Sequence, residues 1–528
     1  MFDFLIKGAT VYDGSLKPPK KCDVAIQKDK IAKVGLISEP ARKTIDAKNL
    51  ILAPGFIDIH SHSDYFLLIQ PTADSHLTQG VTSEIGGNCG YSAAPIFGEA
   101  KLRREEEYQK YYNLKLGWQS LDEYFKRLEK TKIALNYGHL IGHNTLRQSV
   151  MGTVNRKATS AEIQKMIEAL EEGLKQGAVG LSTGLIYPPA CYADTEEVIE
   201  LARVCQKYNA IFSFHMRSES DRLVEAVKEV LNVAQKTGVR VQISHLKTSG
   251  QRNWPKISKV FSLIEAAQKK GIDVQCDRYP YTASQTGLMQ VLPEWTYEGG
   301  PEGLIQTLKD PEKRKRIISE IKATHPPEED YFNKVLIMEV MSEKNKKYEG
   351  LTLSKAAETA SMGVFEFLFQ LLTEEKAAIS AIYFTRSEDN LRQFFSKDYI
   401  FVASDSGCRA ICGPLSKGKP HPRIFGTFPR VIRKYVKEEG VFTLSQAIHK
   451  MTLQPAMRFQ IKNRGAVLEG YYADLVLFDF HKIKDLSDFL DPFHYAQGIQ
   501  YVFVNGKLVL DQKPEVRECA GKIIRRAV

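Results

Sequence analysis

The sequence predicts an α/β protein built on a closed (β/α)8 barrel. Short apolar runs alternate with amphipathic helical segments through its middle, the runs number eight, and both chain ends are strand-rich without helices. The first run is "FIDIH" (56–60), followed by "VTSEI" (81–85), "ALNYGHLIG" (134–142) and "AVGLSTG" (178–184). The remaining four are "AIFSFH" (210–215), "VRVQISH" (239–245), "GIDVQCD" (271–277) and "YIFVASD" (399–405). Eight parallel strands with helical crossovers is what such a barrel requires. A further run, "AAISAIYF" (377–384), leaves the count open by one.

The intervening helices are signed at both ends. "TSAEIQKMIEALEEGLKQG" begins with Thr159 and Glu162 as a capping box, repeats apolar residues at Ile163, Met166, Ile167 and Leu170, and stops at Gly177. "DRLVEAVKEVLNVAQKTG" follows the same scheme to Gly238. The first ~50 residues alternate as short strands, and near the other end "VNGK" (504–507) reads as a hairpin turn. Residues 288–350 break the strand–helix rhythm with prolines and charge runs, which predicts an insertion acting as a lid.

Composition narrows the function classes. With 43% hydrophobic and 26% charged residues over 528 positions, the chain reads as an ordinary soluble globular protein. Its net charge of +10 is spread among acids, as in "KLRREEEYQK" (101–110), and forms no basic stripe. That argues against a nucleic-acid partner. No run approaches the ~18 apolar residues of a membrane span, and the start "MFDFLIKGATVYDG" lacks a signal-peptide pattern. Eight scattered cysteines suit a reducing, cytoplasmic setting, with the Cys408/Cys412 spacing read as chance and Cys276 as core.

Metal-ligand residue types fall at the ends of the runs. The first ends in His60, followed by His62; the second leads to Cys89 in "GGNCGYSAAP"; the fifth, sixth and eighth end in His215, His245 and Asp405. Barrel active sites lie at the C-terminal ends of the strands, so five runs deliver these residues to one mouth. Residues i and i+2 of a strand share a face, which lets His60 and His62 present two imidazoles to one ion. Imidazole, thiolate and carboxylate together suit zinc with an open coordination position. His139 and His143 are expected to be ordinary hydrogen-bonded residues.

"APGFIDIHSHSD" together with "GAVLEGYYADLVLFD…VFVNGK" resembles the metal-dependent amidohydrolase superfamily. "GNCGYSAAP", "GLSTGLIYPPA", "ISHLKTSG", "DRYPYTA" and "HPRIFGTFPR" are similar, more narrowly, to the D-aminoacylases, the N-acyl-D-amino-acid deacylases. The resemblance runs along nearly the whole chain. It implies that both chain ends join in a small β-sandwich, with residues 1–53 and 456–528 flanking a catalytic barrel of residues 54–455.

The resemblance also implies roles. His60 and His62 match the ligand pair of one metal position, Cys89 the bridging thiolate, His215 and His245 the ligands of the tighter zinc, and Asp405 the catalytic aspartate that approaches the second position. Cofactor use would be one tight zinc site, with a second, weaker one left open. Lys247, Tyr187, Tyr279 and Arg423 match substrate contacts. Where some members carry a serine after "YPYTAG", this chain has Ser284-Gln285, so that contact does not transfer.

The expected reaction is zinc-dependent hydrolysis of an N-acyl-D-amino acid by activated water, with Asp405 as base and then acid. Arg423 can fork onto the substrate's α-carboxylate, Lys247 should add positive charge, and Tyr187 and Tyr279 can donate to the carboxylate or the oxyanion. The partner is thus a small N-acyl amino acid, with a homo-oligomer left open. A cyclic-amide hydrolase would be expected to use a carboxylated lysine from a middle strand, and "AVGLSTG" supplies none. An isoaspartyl-dipeptidase-like or N-acyl-acidic-amino-acid specificity remains the alternative within the superfamily, since both substrates present carboxylates to basic residues. A non-catalytic scaffold should have lost ligands, and this chain retains the full set.

Overall fold

The computed structural model describes residues 1–526. Eight parallel strands occupy the middle of the chain, each where an apolar run was read: Phe56–Asp58, Val81–Gly86, Asn136–Gly142, Gly180–Gly184, Ile211–His215, Arg240–Ile243, Val274–Arg278 and Ile400–Val402. They neighbour one another in chain order. The seam between first and last closes through the backbone just past the strands: Asp405 N–H donates to His60 O at 2.9 Å and His62 N–H to Ser406 O at 3.0 Å. The ring is therefore joined by the segments that carry three of the predicted site residues.

Crossover helices pack outside the ring because their apolar stripes need a partner. In Ser160–Lys175 the Thr159–Glu162 capping box is formed, Met166, Leu170 and Leu174 are buried, and the chain turns at Gly177 with φ +105°. Helix Leu223–Thr237 ends at Gly238 in the left-handed region with φ 72°, where a side chain would be disfavoured.

The two chain ends share one eight-stranded mixed sheet. Strands Phe2–Val11 and Ile51–Pro54 from the start lie beside Leu475–Phe478 from the end, which continues into Ile499–Val504 and Lys507–Asp511. The predicted hairpin is present: Val504 pairs with Lys507, and Asn505 and Gly506 both hold positive φ, the signature of a type I′ turn. One apolar cluster draws on both ends, including Ile6, Val24 and Leu52 with Leu475, Leu477 and Phe503.

The additional run belongs elsewhere, and the barrel count is eight. Ser380–Tyr383 pairs antiparallel with Ser284–Gly287 and with Val335–Glu339 in a separate three-stranded sheet. Its residue pattern resembles that of a barrel strand because local alternation encodes a pleated, half-buried surface and not the identity of the partner. This small sheet and its helices lie between the seventh and eighth barrel strands and have their own apolar cluster, with Leu304, Val335, Leu353, Phe369 and Ala381 among its members.

Candidate metal and substrate site

At the C-terminal mouth of the barrel two overlapping sets of donors converge. His60, His62, Cys89 and Asp405 form one, and Cys89, His215 and His245 the other, with the donor atoms of each set within 4.8 Å of one another. Cys89 Sγ is the shared atom, 3.3 Å from His60 Nε2 and 3.3 Å from His245 Nε2. Asp405 Oδ1 lies 3.0 Å from His62 Nε2 and 3.3 Å from His60 Nε2. The sequence reading thus brought six residues from five strand ends to one place.

The local backbone is unusual at these positions. Cys89, His245 and Asp405 all hold positive φ, at 52°, 34° and 53°. Non-glycine residues rarely adopt that region, and such strain clusters where side chains must be aimed. Each of the three follows a strand by two or three residues and turns its side chain inward over the barrel mouth.

The donor chemistry fits zinc. Burial alone would push the Cys89 thiol up, but the imidazoles of His60, His245 and His215 outweigh it and bring the thiol well below its ordinary range. The thiolate is the ligating form. His215 is buried, and neither of its ring nitrogens has a hydrogen-bond partner, an arrangement that costs free energy unless an ion or ligand satisfies it. Asp277 orients His60, accepting from Nδ1 at 2.9 Å, so that Nε2 presents its lone pair to the site. The same carboxylate accepts from His245 N–H at 2.8 Å.

Asp277 and Glu219 were not among the predicted site residues. Asp277 ends the seventh run as His215 ends the fifth, so the strand-end rule could have found it. Glu219 lies in the loop four residues past His215 and had no such signal. Its Oε1 is 3.0 Å from His245 Nδ1 and 2.7 Å from Lys247 Nζ.

A cavity of about 620 Å³ opens over the donors. Lys247, Arg423 and Tyr187 line it, together with Gln285 and Thr286 of the inserted sheet and Arg386, which follows the sheet's last strand. Arg423 Nη1 donates to Asp405 Oδ2 at 2.7 Å, and Tyr187 sets its ring edge-on to His215 with centroids 4.8 Å apart. Tyr279 is fully buried, its hydroxyl lacks a hydrogen-bond partner, and it does not line the cavity wall. Burial would raise its phenol, yet Lys247, Arg278, Arg423 and Arg386 together lower it to about 7. His139 and His143 are hydrogen-bonded core residues, to Tyr137 and Ala94 and to Thr183 and Glu197.

Models of the amidohydrolase family match residues 43–211 and 393–509. The chain is 34% identical to a D-aminoacylase of Alcaligenes xylosoxydans xylosoxydans, covering 99% of this chain and 98% of that protein. It is 33% identical to an N-acyl-D-aspartate deacylase of the same organism, with 99% and 95% covered. Among solved structures, an N-acyl-D-glutamate deacylase from Bordetella bronchiseptica, complexed with zinc and a phosphonate mimic of the tetrahedral intermediate, superposes with TM-score 0.83 at 31% identity over 99% of both chains. A D-aminoacylase described with a binuclear metal centre gives TM-score 0.83 at 32% identity over the full length of both.

Proposed function

The chain belongs to the D-aminoacylase family of amidohydrolases, and from that premise we propose that it hydrolyses N-acyl-D-amino acids to a carboxylic acid and a free D-amino acid. The observation that carries the reading is the shared Cys89 thiol. It joins two donor sets at one mouth, one of which includes the Asp405 carboxylate that accepts from Arg423. His215, His245 and Cys89 would hold the tighter zinc, and His60, His62, Cys89 and Asp405 the second position. A zinc ion held by these residues would supply a bound water that ionises near pH ~7 and Lewis-acid polarisation of the amide carbonyl.

The protein's own groups do the rest. Burial pushes the Asp405 carboxyl up, while Arg423, His245 and His60 outweigh it and keep it well below the carboxylate range. It therefore stands ionised, able to take a proton from the attacking water and return it to the departing nitrogen. In the free protein its Oδ2 is tied to Arg423. A substrate α-carboxylate arriving at Arg423 competes for that guanidinium and leaves Asp405 the stronger base, so binding and activation are coupled. Tyr187, beside His215, is placed to donate to the developing oxyanion, and the positive charge of Lys247 holds the substrate's carboxylate end at the same wall. Tyr279 serves through the cations packed on it.

The same reading divides the chain into residues 1–53 and 456–528 as the flanking β domain and 54–455 as the catalytic barrel. The apolar cluster shared by the two ends supports it. A lid role for the 288–350 insertion is supported by His325 and Tyr331 at the cavity rim. The partner is a small N-acyl amino acid, with no nucleic acid. All eight cysteines are free, which supports a cytoplasmic setting. No helix among the described residues is long and apolar enough to cross a membrane.

The test is amine release by the zinc-loaded protein from paired N-acetyl-D- and N-acetyl-L-amino acids with apolar, acidic and aromatic side chains. Turnover of D-substrates only, abolished in Asp405→Asn, is expected. Turnover of a cyclic amide but of no linear substrate would replace the reading.

A further inference from the structure

Within the D-aminoacylase reading, which this inference rests on, the charges lining the cavity point to one class of side chain. Five cations border the cavity, and four of them are answered by carboxylates. Lys247 pairs with Glu219 at 2.7 Å, Arg252 with Asp221 at 2.6 Å, Arg409 with Glu339 at 3.4 Å and Arg423 with Asp405 at 2.7 Å. Arg386 is the fifth. It has no carboxylate partner among the described residues, donating instead to two hydroxyls: Ser284 Oγ at 2.9 Å and Thr385 Oγ1. Its Nε is buried without any hydrogen bond.

Arg386 is half-buried in the cavity wall, and a guanidinium partly withdrawn from water without an anion gains when a ligand supplies the missing charge. The surroundings sharpen the point. Arg278 lies behind the cavity wall, 4.1 Å from the Tyr279 ring centroid, and its Nε and Nη1 are likewise buried and unbonded. Of the cations near this wall, Lys247 and Arg423 are paired with Glu219 and Asp405, whereas Arg278 and Arg386 have no carboxylate in ion-pair contact among the described residues and donate to Tyr281 O and to hydroxyls. The surplus fits a ligand with two negative charges. The α-carboxylate of an N-acyl amino acid accounts for one, and Arg423 lies ready for it.

We propose that Arg386 receives the second, making this protein selective for N-acyl-D-amino acids with an acidic side chain. Ser284 Oγ, accepting from Arg386 Nη2 at 2.9 Å, fixes one arm of the fork. The planar fork suits a bidentate carboxylate contact that an amide isostere cannot reproduce.

The experiment compares N-acetyl-D-glutamate with its neutral isostere N-acetyl-D-glutamine on the zinc-loaded protein, wild type and Arg386→Gln. In the wild type kcat/KM should favour the glutamate substrate by on the order of 100-fold. In Arg386→Gln it should fall by on the order of 100-fold for the acidic substrate and stay within about threefold for the neutral one. A wild type that turns over both equally overturns the proposal whether or not the variant folds. So does a variant that loses both to the same extent, because Arg386 would then serve the α-carboxylate or the fold. Calorimetric binding of free D-glutamate against D-glutamine makes the same comparison without turnover. Preference for D-glutamate with no hydrolysis would sink the deacylase reading alone and keep the Arg386 site. Equal binding would sink the Arg386 site alone.

Discussion

Removing the Asp277 carboxylate should loosen the metal centre without touching any donor atom. Its Oδ1 accepts from His60 Nδ1 at 2.9 Å and from the His245 backbone N–H at 2.8 Å, while Oδ2 accepts from Gln242 Nε2 at 3.1 Å. In Asp277→Ala, His60 loses the acceptor that keeps its proton on Nδ1. His245, with φ at 34°, loses an anchor for a strained backbone. A hydrogen bond to a charged group contributes about 1.5–3 kcal/mol, which is about 10- to 100-fold in an equilibrium constant. The same range holds for groups that orient metal-binding histidines. Zinc affinity, measured on the metal-stripped protein by competition with a chromophoric chelator, should therefore drop by that factor. Asp277→Asn keeps an acceptor oxygen and should lose about tenfold or less. Wild-type zinc affinity in a natively folded Asp277→Ala would refute the orienting role.

Other consequences are equally open to test. Gly90 holds φ +81°, and a Cβ there would sit 1.8 Å from Asn144 Oδ1 and 2.6 Å from Gly184 N, so Gly90→Ala should displace Cys89; retained zinc stoichiometry by elemental analysis would contradict this. His421 accepts from Arg423 N–H at 3.0 Å and donates to Ala283 O at 3.2 Å, and burial followed by the Arg423 charge holds it well below the ordinary imidazole range. The unfolded chain thus binds the extra proton, and stability present above about pH 6.5 is lost as pH falls below it, by up to about 1.4 kcal/mol per pH unit. Denaturant midpoints should show a shallower acid slope in His421→Gln than in the wild type; identical slopes would rule His421 out. Thr159→Ala removes one half of a formed capping box and should cost about 1 kcal/mol locally, read as faster hydrogen exchange in the first turn of helix Ser160–Lys175.

The parts that proved legible in the sequence share a cause. A parallel strand buried on both faces announces itself as an apolar run, and the fold places whatever follows it at one mouth. His60, Cys89, His215, His245 and Asp405 are all found that way. Asp277 obeys the same rule at the end of the seventh run, though it is not among the predicted site residues. Glu219 and Arg386 were not legible at all. Both reach the site from loops, Arg386 from the one that follows the inserted sheet's last strand, and no local periodicity states which distant surface such a segment will cover. The Ser380–Tyr383 strand shows the same gap, since its partners lie up to about a hundred residues away in the chain.

The seam that joins the first barrel strand to the last also orders the site in time. During synthesis, His60, His62, Cys89, His215 and His245 emerge within the first half of the chain. They include every donor of the Cys89–His215–His245 set. Asp405 and Arg423 follow only after the whole inserted sheet has been made. A growing chain can thus gather the ligands of one metal position long before it has the proton carrier, and the ring closes on the very residues that complete the chemistry. Truncated products that end before residue 400 would have the ligands to sequester zinc and no means of using it.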